Sequence, residues 1–208
     1  MTRFFLVRHG VTDWIEEEKL HGISDIPLSV YGRNQAKLTA QTFLEINIDR
    51  MYSSSLKRAM QTAEEIGKVT SVQTESVDGL MEMNYGWMEG TRDYWPSIKG
   101  KPILIMLNTL SRLISGALAG ESFKKFNRRV VQSWKKIVAE NPSGTVVLVA
   151  HSGVLRAILA NEFGGNPVYD KKYVLTTCSI TEIIGEKNGQ MKLVKVSRDS
   201  HLPKDIVI

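Results

Sequence analysis

Two histidines follow the two most apolar strand candidates of this chain. The run FFLV leads into Arg8-His9-Gly10, and the run VVLVA leads into His151-Ser152-Gly153. In open α/β sheets, ligands bind beyond the carboxyl ends of the strands, so neighbouring strands would bring both imidazoles into one crevice. The glycine near each histidine lets backbone approach a ligand closely. The pattern therefore predicts one site built around His9 and His151.

The neighbours of these histidines favour an anion over a metal ion. Imidazole is the commonest metal ligand, but a metal site also needs carboxylates or thiols. Arg8 and Ser152 stand beside the two histidines instead. A guanidinium matches phosphate oxygens bidentately, so Arg8 is predicted to clamp a phosphate. We expect no metal at this site.

An arginine in the first turn of a predicted helix is a further candidate. A serine turn, residues 53–55, connects a short strand to this helix, and Arg58 follows. Backbone N–H groups at a helix N-terminus attract anions, whereas a cation there is mildly unfavourable. A phosphate bound at the same place would remove this conflict. Arg58 is therefore predicted to contact it.

Alternating β-prone runs and amphipathic stretches must position these residues. This alternation predicts the α/β class with a mainly parallel sheet. The Asn-Gly pair in Lys187-Asn188-Gly189 predicts a hairpin, which gives the sheet an antiparallel edge. Strands are predicted at 3–7, 49–53, 72–77, 145–150, 173–184 and 190–197, and helices at 29–45, 56–68, from Gly120-Glu121-Ser122 to about 140, and 153–163.

The composition is that of an ordinary globular protein. A length of 208 residues favours one domain, 1–208, and 42% hydrophobic residues suffice for a buried core. The net charge of +5 suits any anionic partner. The densest basic run comprises Lys124, Lys125, Arg128, Arg129, Lys135 and Lys136. It alternates with an apolar stripe of Phe123, Phe126, Val130, Trp134 and Ile137, so we interpret the cations as a solvated helix face and expect no nucleic acid.

The cysteine content and the apolar segments predict a cytoplasmic protein. Cys178 is the only cysteine and has no partner for an internal disulfide. The apolar stretch at the N-terminus is too short for a signal peptide. The segment 103–119 contains Asn108, Arg112 and Gly116, and it falls short of the roughly 20 apolar residues that a spanning helix needs. We expect no membrane association.

Six blocks of residues together resemble the histidine phosphatase superfamily, the phosphoglycerate mutase-like proteins of branch 1. The first block is Arg8-His9-Gly10 with Thr12. The others follow in order: Gly22-x-x-Asp25-x-Pro27-Leu28-Ser29-x-x-Gly32-x-x-Gln35-Ala36, Ser54-x-x-x-Arg58-Ala59-x-Gln61-Thr62-Ala63, Leu80-Met81-Glu82-x-x-x-Gly86-x-x-Glu89-Gly90, Gly120-Glu121-Ser122 and Val149-x-His151-x-Gly153-x-x-Arg156. The resemblance implies a three-layer αβα sandwich with a mainly parallel sheet and one antiparallel edge strand. Apolar residues between 103 and 118 recur at roughly helical spacing, so we expect a helical lid inserted around 91–120.

The resemblance also implies catalysis through a phosphohistidine. His9 would attack phosphorus, and Arg8, Arg58 and His151 would bind the phosphate and stabilise the transferring group. Glu82 would act as general acid and then as base toward water, whereas we expect Glu89 to be structural. Further substrate contacts are expected from Thr12, His21, Gly22, Ser152 and Gly153. No metal and no cofactor are required.

Three positions depart from the pattern of the family. Ile15 stands where an asparagine often contacts phosphate or substrate, so that contact is absent. His21 replaces a frequent glutamine or small polar residue, and Asn84 replaces a common aspartate. His21 is either a peripheral phosphate contact or a loop residue. The sequence does not predict which residues recognise the part of the substrate beyond its phosphate.

The segment 91–119 favours a phosphatase over a mutase. Sugar-acid mutases of the family carry a longer insertion here, with basic and aromatic residues, whereas this segment is short and rich in Ile, Leu and Met. We expect hydrolysis of a small phosphorylated metabolite. The alternatives are a phosphoglycerate mutase-type phosphotransferase and a noncatalytic phospholigand-binding protein. The apolar surplus of the segment would pack in the core, hold an organic part of the substrate or contact a second subunit of a homodimer.

Overall fold

A six-stranded sheet flanked by helices forms the centre of the structure, a computed structural model that describes residues 1–92, 120–165 and 173–203. The strands are β1 (Thr2–Arg8), β2 (Arg50–Ser53), β3 (Thr74–Ser76), β4 (Gly144–Ala150), β5 (Ile180–Gly185) and β6 (Met191–Arg198). The helices are α1 (Asp13–Glu16), α2 (Val30–Gln41), α3 (Lys57–Thr70), α4 (Phe123–Glu140) and α5 (Ser152–Phe163), with short 3-10 helices at Asp78–Leu80 and Gly86–Met88.

The strand order is β3-β2-β4-β1-β5-β6, and the first four strands are parallel. β5 pairs antiparallel with β1, and β6 pairs antiparallel with β5, across a turn that contains Gly189. The predicted antiparallel edge is therefore confirmed, and it consists of this hairpin. β1, β2 and β4 end at one edge of the sheet, because Arg8 pairs with Ala150 and Ser53 with Val149.

Apolar residues on both faces of the sheet produce the three layers. On one face, Phe4, Leu6 and Leu148 pack with Trp134 of α4 and Ile158 of α5 in one buried cluster. On the opposite face, the alternate residues of the same strands pack against α2 and α3, in a second cluster that includes Phe5, Val7, Val147, Phe43 and Ile66. Burial on both faces is the pattern of a covered parallel sheet, and it confirms the predicted αβα sandwich.

The helices begin where their sequences supply caps. Ser29 accepts a hydrogen bond from the Gly32 N–H at the start of α2, and Ser122 accepts one from the Lys125 N–H at the start of α4. Such caps satisfy backbone donors that have no partner within the helix. No helix of the described ranges combines the length and the apolar content needed to cross a membrane.

Two predictions about these elements are wrong. The strand predicted from 173 begins only at Ile180, because Cys178 has a positive φ of 57° and its N–H donates to the Arg8 carbonyl outside the ladder. Phe123 is 38% exposed, because it is the first residue of α4 and precedes the part that packs on the core. The lid predicted around 91–120 falls almost wholly on 93–119, outside the described residues.

Candidate active site

The ends of β1 and β4 bring two histidine rings together. The His9 N–H donates to the Ala150 carbonyl oxygen over 2.9 Å, which joins the two strands beyond their last paired residues. The centroids of the His9 and His151 rings are 5.0 Å apart. Both side chains are buried. The two strand-end motifs therefore meet in one cluster.

One nitrogen of the His9 ring is fixed, and the other is available. Nδ1 lies 2.7 Å from the Gly10 carbonyl oxygen. A carbonyl only accepts hydrogen bonds, so Nδ1 carries the proton and Nε2 keeps its lone pair. Burial, together with the charges of Arg58 and Arg8, holds the pKa of His9 well below its usual 6.5. The ring is therefore neutral at pH 7, with Nε2 as a nucleophilic atom.

The fully buried guanidinium of Arg58, in the first turn of α3, bridges two parts of the cluster. Nη1 and Nη2 donate to the carbonyl oxygens of Ser24 and Gly22 over 2.8 and 2.6 Å, and Nε donates to His151 Nδ1 over 3.2 Å. Within the described ranges, these bonds engage three of the five N–H donors of a guanidinium. Burial lowers the pKa of Arg58 to about 10, so it stays protonated at pH 7.

His151 differs from His9 because both of its ring nitrogens have protein partners. Nδ1 accepts from Arg58, which can only donate, so the neutral ring carries its proton on Nε2. Nε2 lies 2.8 Å from Ser54 Oγ and donates to it. Burial, and then the charge of Arg58, lowers the pKa of His151 well below 6.5. Ser54 was not singled out as a contact from its sequence, although it opens one of the six blocks.

A carboxylate of the protein itself caps the N-terminus of α3. The Lys57 N–H donates to Asp25 Oδ1 over 2.7 Å, and the Leu56 N–H donates to Ser54 Oγ over 3.3 Å. The Lys57 N–H is therefore bound to Asp25, whose carboxylate supplies a negative charge at the start of α3. Arg58 instead extends to the carbonyls of Gly22 and Ser24.

Arg8 ends β1 and lies against the segment that precedes β5. Its Nη1 donates to the Leu175 carbonyl oxygen over 2.7 Å. Its Nε is buried and has no hydrogen-bond partner among the described residues. Burial lowers the pKa of Arg8, and the nearby Glu82 carboxylate opposes that shift. The guanidinium thus faces the same cluster as His9 and Glu82.

Glu82 follows the first 3-10 helix and reaches the N-terminus of α5. Its side chain is 6% exposed. Oε2 accepts from the Gly153 N–H over 3.0 Å, and Oε1 accepts from the Met83 N–H over 2.9 Å. A Cβ on Gly153 would lie 2.3 Å from Glu82 Oε1. Gly153 therefore makes room for a carboxylate of the protein. Ser152, the preceding residue, begins α5 and is half-buried.

One cation of the basic run on α4 does not belong to the solvated face. The side chain of Arg129 is 23% exposed and forms an ion pair with Glu121. It also donates to the backbone carbonyls of Met81 and Glu82. The prediction that the whole run is solvated is wrong here, because Arg129 lies directly beside the buried stripe at Val130. Glu121, eight residues earlier, was the available signal for this pair.

Thr12 and His21 occupy the loop that follows β1. Thr12 is fully buried and caps α1, where its Oγ1 accepts from the Ile15 N–H over 3.3 Å. The His21 ring centroid is 6.0 Å from that of His9, and burial lowers the pKa of His21 to about 4. No group of three or more His, Cys, Asp or Glu in the described ranges is arranged to hold a metal ion.

The backbone of Gly22 packs too closely for any side chain. A Cβ at this position would lie 1.9 Å from the Met83 carbonyl oxygen. Glu89 fixes the same segment, because its carboxylate accepts from the N–H groups of Tyr85, Ile23 and Ser24.

Asn84 Oδ1 accepts from the Gly86 N–H over 2.7 Å, a contact that an aspartate could also make. These residues hold the two loops that border the cluster.

Known proteins resemble this chain in sequence and in fold. A phosphatase of Bacillus subtilis (strain 168), named as uncharacterised phosphatase PhoE, is 30% identical over 208 residues, with 97% of each chain covered. The structure of a phosphoserine phosphatase from Entamoeba histolytica with 3-phosphoglyceric acid superposes with a TM-score of 0.78 at 25% identity, covering 98% of this chain and 100% of that one. A mutant of that enzyme with phosphoserine gives a TM-score of 0.79 at 26% identity and the same coverage. The sequence model of the histidine phosphatase superfamily (branch 1) matches residues 4–198, and this chain belongs to that superfamily.

Proposed function

We propose that this phosphatase hydrolyses a small phosphorylated metabolite through a phosphohistidine on His9, without a metal ion. The observation that carries the proposal is the state of the His9 ring. Its Nδ1 proton is bound to the Gly10 carbonyl, so Nε2 presents a lone pair beside two guanidinium groups and a second histidine. A neutral imidazole is a good nucleophile toward phosphorus and a good leaving group from it.

The reaction proceeds in two balanced steps. In the first step, His9 Nε2 bonds to phosphorus while the ester P–O bond breaks, and protonated Glu82 gives its proton to the leaving alkoxide. In the second step, the Glu82 carboxylate takes a proton from water as the water oxygen attacks phosphorus. The P–N bond then breaks, which releases inorganic phosphate and restores neutral His9. Glu82 is a candidate for both roles because its side chain is buried at the cluster and its carboxylate is held against the Gly153 N–H.

The positive groups of the cluster stabilise the charge on the transferring phosphoryl group. Arg58 and Arg8 stay protonated at neutral pH, although burial lowers the pKa of both. A phosphoryl transition state spreads negative charge over its equatorial oxygens, so positioned cations supply most of the stabilisation. Arg8 Nε, which is buried without a hydrogen-bond partner among the described residues, supports this role.

Phosphoserine and phosphoglycerate are the first substrates to test. The solved relatives are named phosphoserine phosphatase, and they were captured with 3-phosphoglyceric acid and with phosphoserine. Those ligands are small phosphate monoesters of hydroxy acids. A buried site with two arginines would accept the phosphate end of such a molecule, whereas the departure at Ile15 leaves the recognition of the other end to experiment.

The test is release of inorganic phosphate from a panel of phosphate monoesters, with and without chelator. We expect activity in both conditions and none in His9→Ala. The matched control is His201→Ala, because the His201 ring bonds to Thr39 and not to a side chain that is proposed to bind the phosphate. Activity abolished by the chelator would refute metal independence. No release from any compound would refute hydrolysis and favour a mutase or a phospholigand-binding protein.

We also propose that the enzyme works in the reducing cytoplasm. The support is Cys178, which is buried and whose pKa burial raises to about 12, so the thiol is inert and is not needed for a disulfide. Cell fractionation with a specific antibody tests this location. Recovery of the protein in an oxidising compartment would contradict it.

A further inference from the structure

We propose that Arg129 of α4 is a positioning residue for Glu82, a proposal that rests on the acid–base role of Glu82 given above. Arg129 touches neither His9 nor His151 in the structure, and its effect would be indirect. It would hold the loop of residues 79–84 so that the Glu82 carboxylate stays against the Gly153 N–H. Three independent features of the contacts support this assignment.

The first feature is complete use of the Arg129 guanidinium. Nη1 donates to the carbonyl oxygens of Gly79 and Met81 over 3.1 and 2.5 Å, and Nη2 donates to that of Glu82 over 2.8 Å. Nε and Nη2 donate to the two carboxylate oxygens of Glu121 over 3.1 and 2.5 Å. A guanidinium has five N–H donors, so every donor has a partner. Three of the five hold the loop that carries the proposed general acid.

The second feature is that Glu121 anchors the far side of the same loop. Its Oε1 accepts from the Asn84 N–H over 3.1 Å, and its own N–H donates to the Asn84 carbonyl over 2.9 Å. Arg129 therefore fixes the backbone up to Glu82, and Glu121 fixes it two residues later. The acid lies between two points that are joined to each other by an ion pair.

The third feature is the support beneath the guanidinium. Its central carbon lies 4.9 Å from the centroid of the Phe126 ring, which is buried. The loop also rests directly on α4, because a Cβ on Gly79 would lie 1.9 Å from Ser133 Oγ. An arginine placed on a rigid aromatic ring has a defined orientation, and a lysine could not form the same fork of bonds.

Chemistry explains why such anchoring would affect the rate. General acid catalysis contributes about 10² to 10⁴-fold, and a displacement of about 1 Å in a catalytic group costs on the order of 10²-fold. The acid is needed most when the leaving group is a strongly basic alkoxide. It is needed least when the leaving group is a weakly basic phenolate such as p-nitrophenolate. Loss of Arg129 should therefore harm alkyl esters more than activated aryl esters.

The experiment measures kcat/KM for alkyl phosphates and p-nitrophenyl phosphate with Arg129→Met and Arg129→Lys. This constant reports the first phosphoryl transfer, in which the leaving group departs. We expect a loss of about 10²-fold on alkyl phosphates and about tenfold or less on p-nitrophenyl phosphate. Arg128→Lys is the matched control, because Arg128 is the exposed neighbour on the same helix, and both substrates should keep their native rates.

Glu82→Gln serves as the reference for a missing acid, and it should show the same selectivity for alkyl esters with a larger loss. If Glu82→Gln shows that selectivity but the Arg129 variants lose both substrates equally, Arg129 is only structural and the inference is overturned. If Glu82→Gln itself loses both equally, the acid role of Glu82 fails, and the inference fails with it. Should Arg129→Met not fold, Glu121→Gln must show the selectivity in milder form, because it keeps the shape of the ion pair and removes its charge.

Discussion

The ends of β1 and β4 are alike in sequence and differ in chemistry. Each strand delivers a buried histidine to the same cluster, and the pKa of each is held well below 6.5 by burial and nearby arginines. His9 has one nitrogen bound to a backbone carbonyl, whereas both nitrogens of His151 are bound to side chains, those of Arg58 and Ser54. Hydrogen bonds, and not protonation, therefore decide which ring has a free nucleophilic nitrogen.

The glycines that follow the two histidines differ in the same way. A Cβ on Gly10 would lie 2.7 Å from the Gly32 backbone carbonyl, which cannot move without shifting α2. A Cβ on Gly153 would instead meet the far end of the Glu82 side chain. The first glycine serves packing, and the second leaves space for the proposed acid. Similar motifs at two strand ends thus have separate tasks.

Alanine substitutions at the two histidines should give the largest losses of activity, and the two losses should differ in size. His9→Ala removes the nucleophile, and such losses are on the order of 10⁴-fold or more in kcat. His151→Ala removes one stabilising group and should cost about 10² to 10³-fold. Steady-state assays with a good substrate measure both effects.

Labelling with an alkaline quench gives the independent check of this pair, because the P–N bond of a phosphohistidine hydrolyses in acid and survives in alkali. With substrate labelled in its phosphate group, native enzyme and His151→Ala should both retain label on the protein, and His9→Ala should retain none. Labelled His9→Ala protein would reverse the assignment of the nucleophile. Equal losses in the two variants would remove the distinction between the rings.

Alanine at the two glycines should separate stability from activity. Gly10→Ala should destabilise the protein by about 1 to 3 kcal/mol, since the added methyl group meets backbone. Gly153→Ala should cost less stability than Gly10→Ala, because alanine favours a helix over glycine by about 1 kcal/mol and the methyl group meets the end of a side chain rather than backbone. Its activity should fall by about 10²-fold as Glu82 moves. Urea unfolding and kcat/KM measure the two quantities.

A double-mutant cycle decides whether Gly153 acts through Glu82. In the Glu82→Gln background, Gly153→Ala should cost little further activity, because the group that it displaces has already lost its function. Independent, multiplicative losses would show that Gly153 has another task. Coordinates of Gly153→Ala should show the carboxylate displaced from the N-terminus of α5.

Removal of the Ser54 hydroxyl should have a smaller effect. Ser54→Ala leaves the buried Nε2–H of His151 without its acceptor, which should cost about 1 to 3 kcal/mol of unfolding free energy. Activity should fall by less than in His151→Ala, since the ring remains. Ser55→Ala is the matched control, one residue away and only half-buried. A Ser54→Ala protein as stable as Ser55→Ala would show that this bond does not hold His151.

The two strand ends that carry the histidines could be predicted because each strand is specified by a short apolar run in its own sequence. Runs such as FFLV and VVLVA have few alternatives to a buried parallel strand, and the rule for such sheets then brings His9 and His151 to one edge. The six blocks carried Glu82, which has no distinctive local pattern, whereas Arg58 was already indicated by its place in the first turn of a helix. The resemblance assigned a catalytic role to such residues, but it did not predict their hydrogen-bond partners.

The contacts between distant segments could not be predicted. Asp25 caps α3 from 32 positions away, and Arg129 reaches carbonyls at 79–82 from a helix whose other cations are exposed. The residues 173–179 look β-prone, yet Leu175 bonds to Arg8 and Cys178 adopts a positive φ. The four-residue helix α1 is too short to show a period. The contacts of Asp25, of Arg129 and of residues 173–179 each depend on a partner that sequence spacing does not reveal.

The acidic range should test the feature that the two histidines share. The pKa of His9 and His151 is depressed, and that of His21 is lowered to about 4, whereas the unfolded chain protonates its histidines near 6.5. Unfolded protein therefore binds more protons between these values, and stability is lost as the pH falls through that window. In urea titrations from pH 8 to pH 5, His21→Gln should lose less stability on acidification than the native chain. The slope of the unfolding free energy against pH should differ between the two proteins by the equivalent of up to one bound proton. Above pH 7.5 the two curves should run parallel. Identical slopes below pH 6.5 would mean that His21 has the same pKa in the folded protein as in the unfolded chain. The lowered pKa of the other buried histidines would then need a cause other than burial.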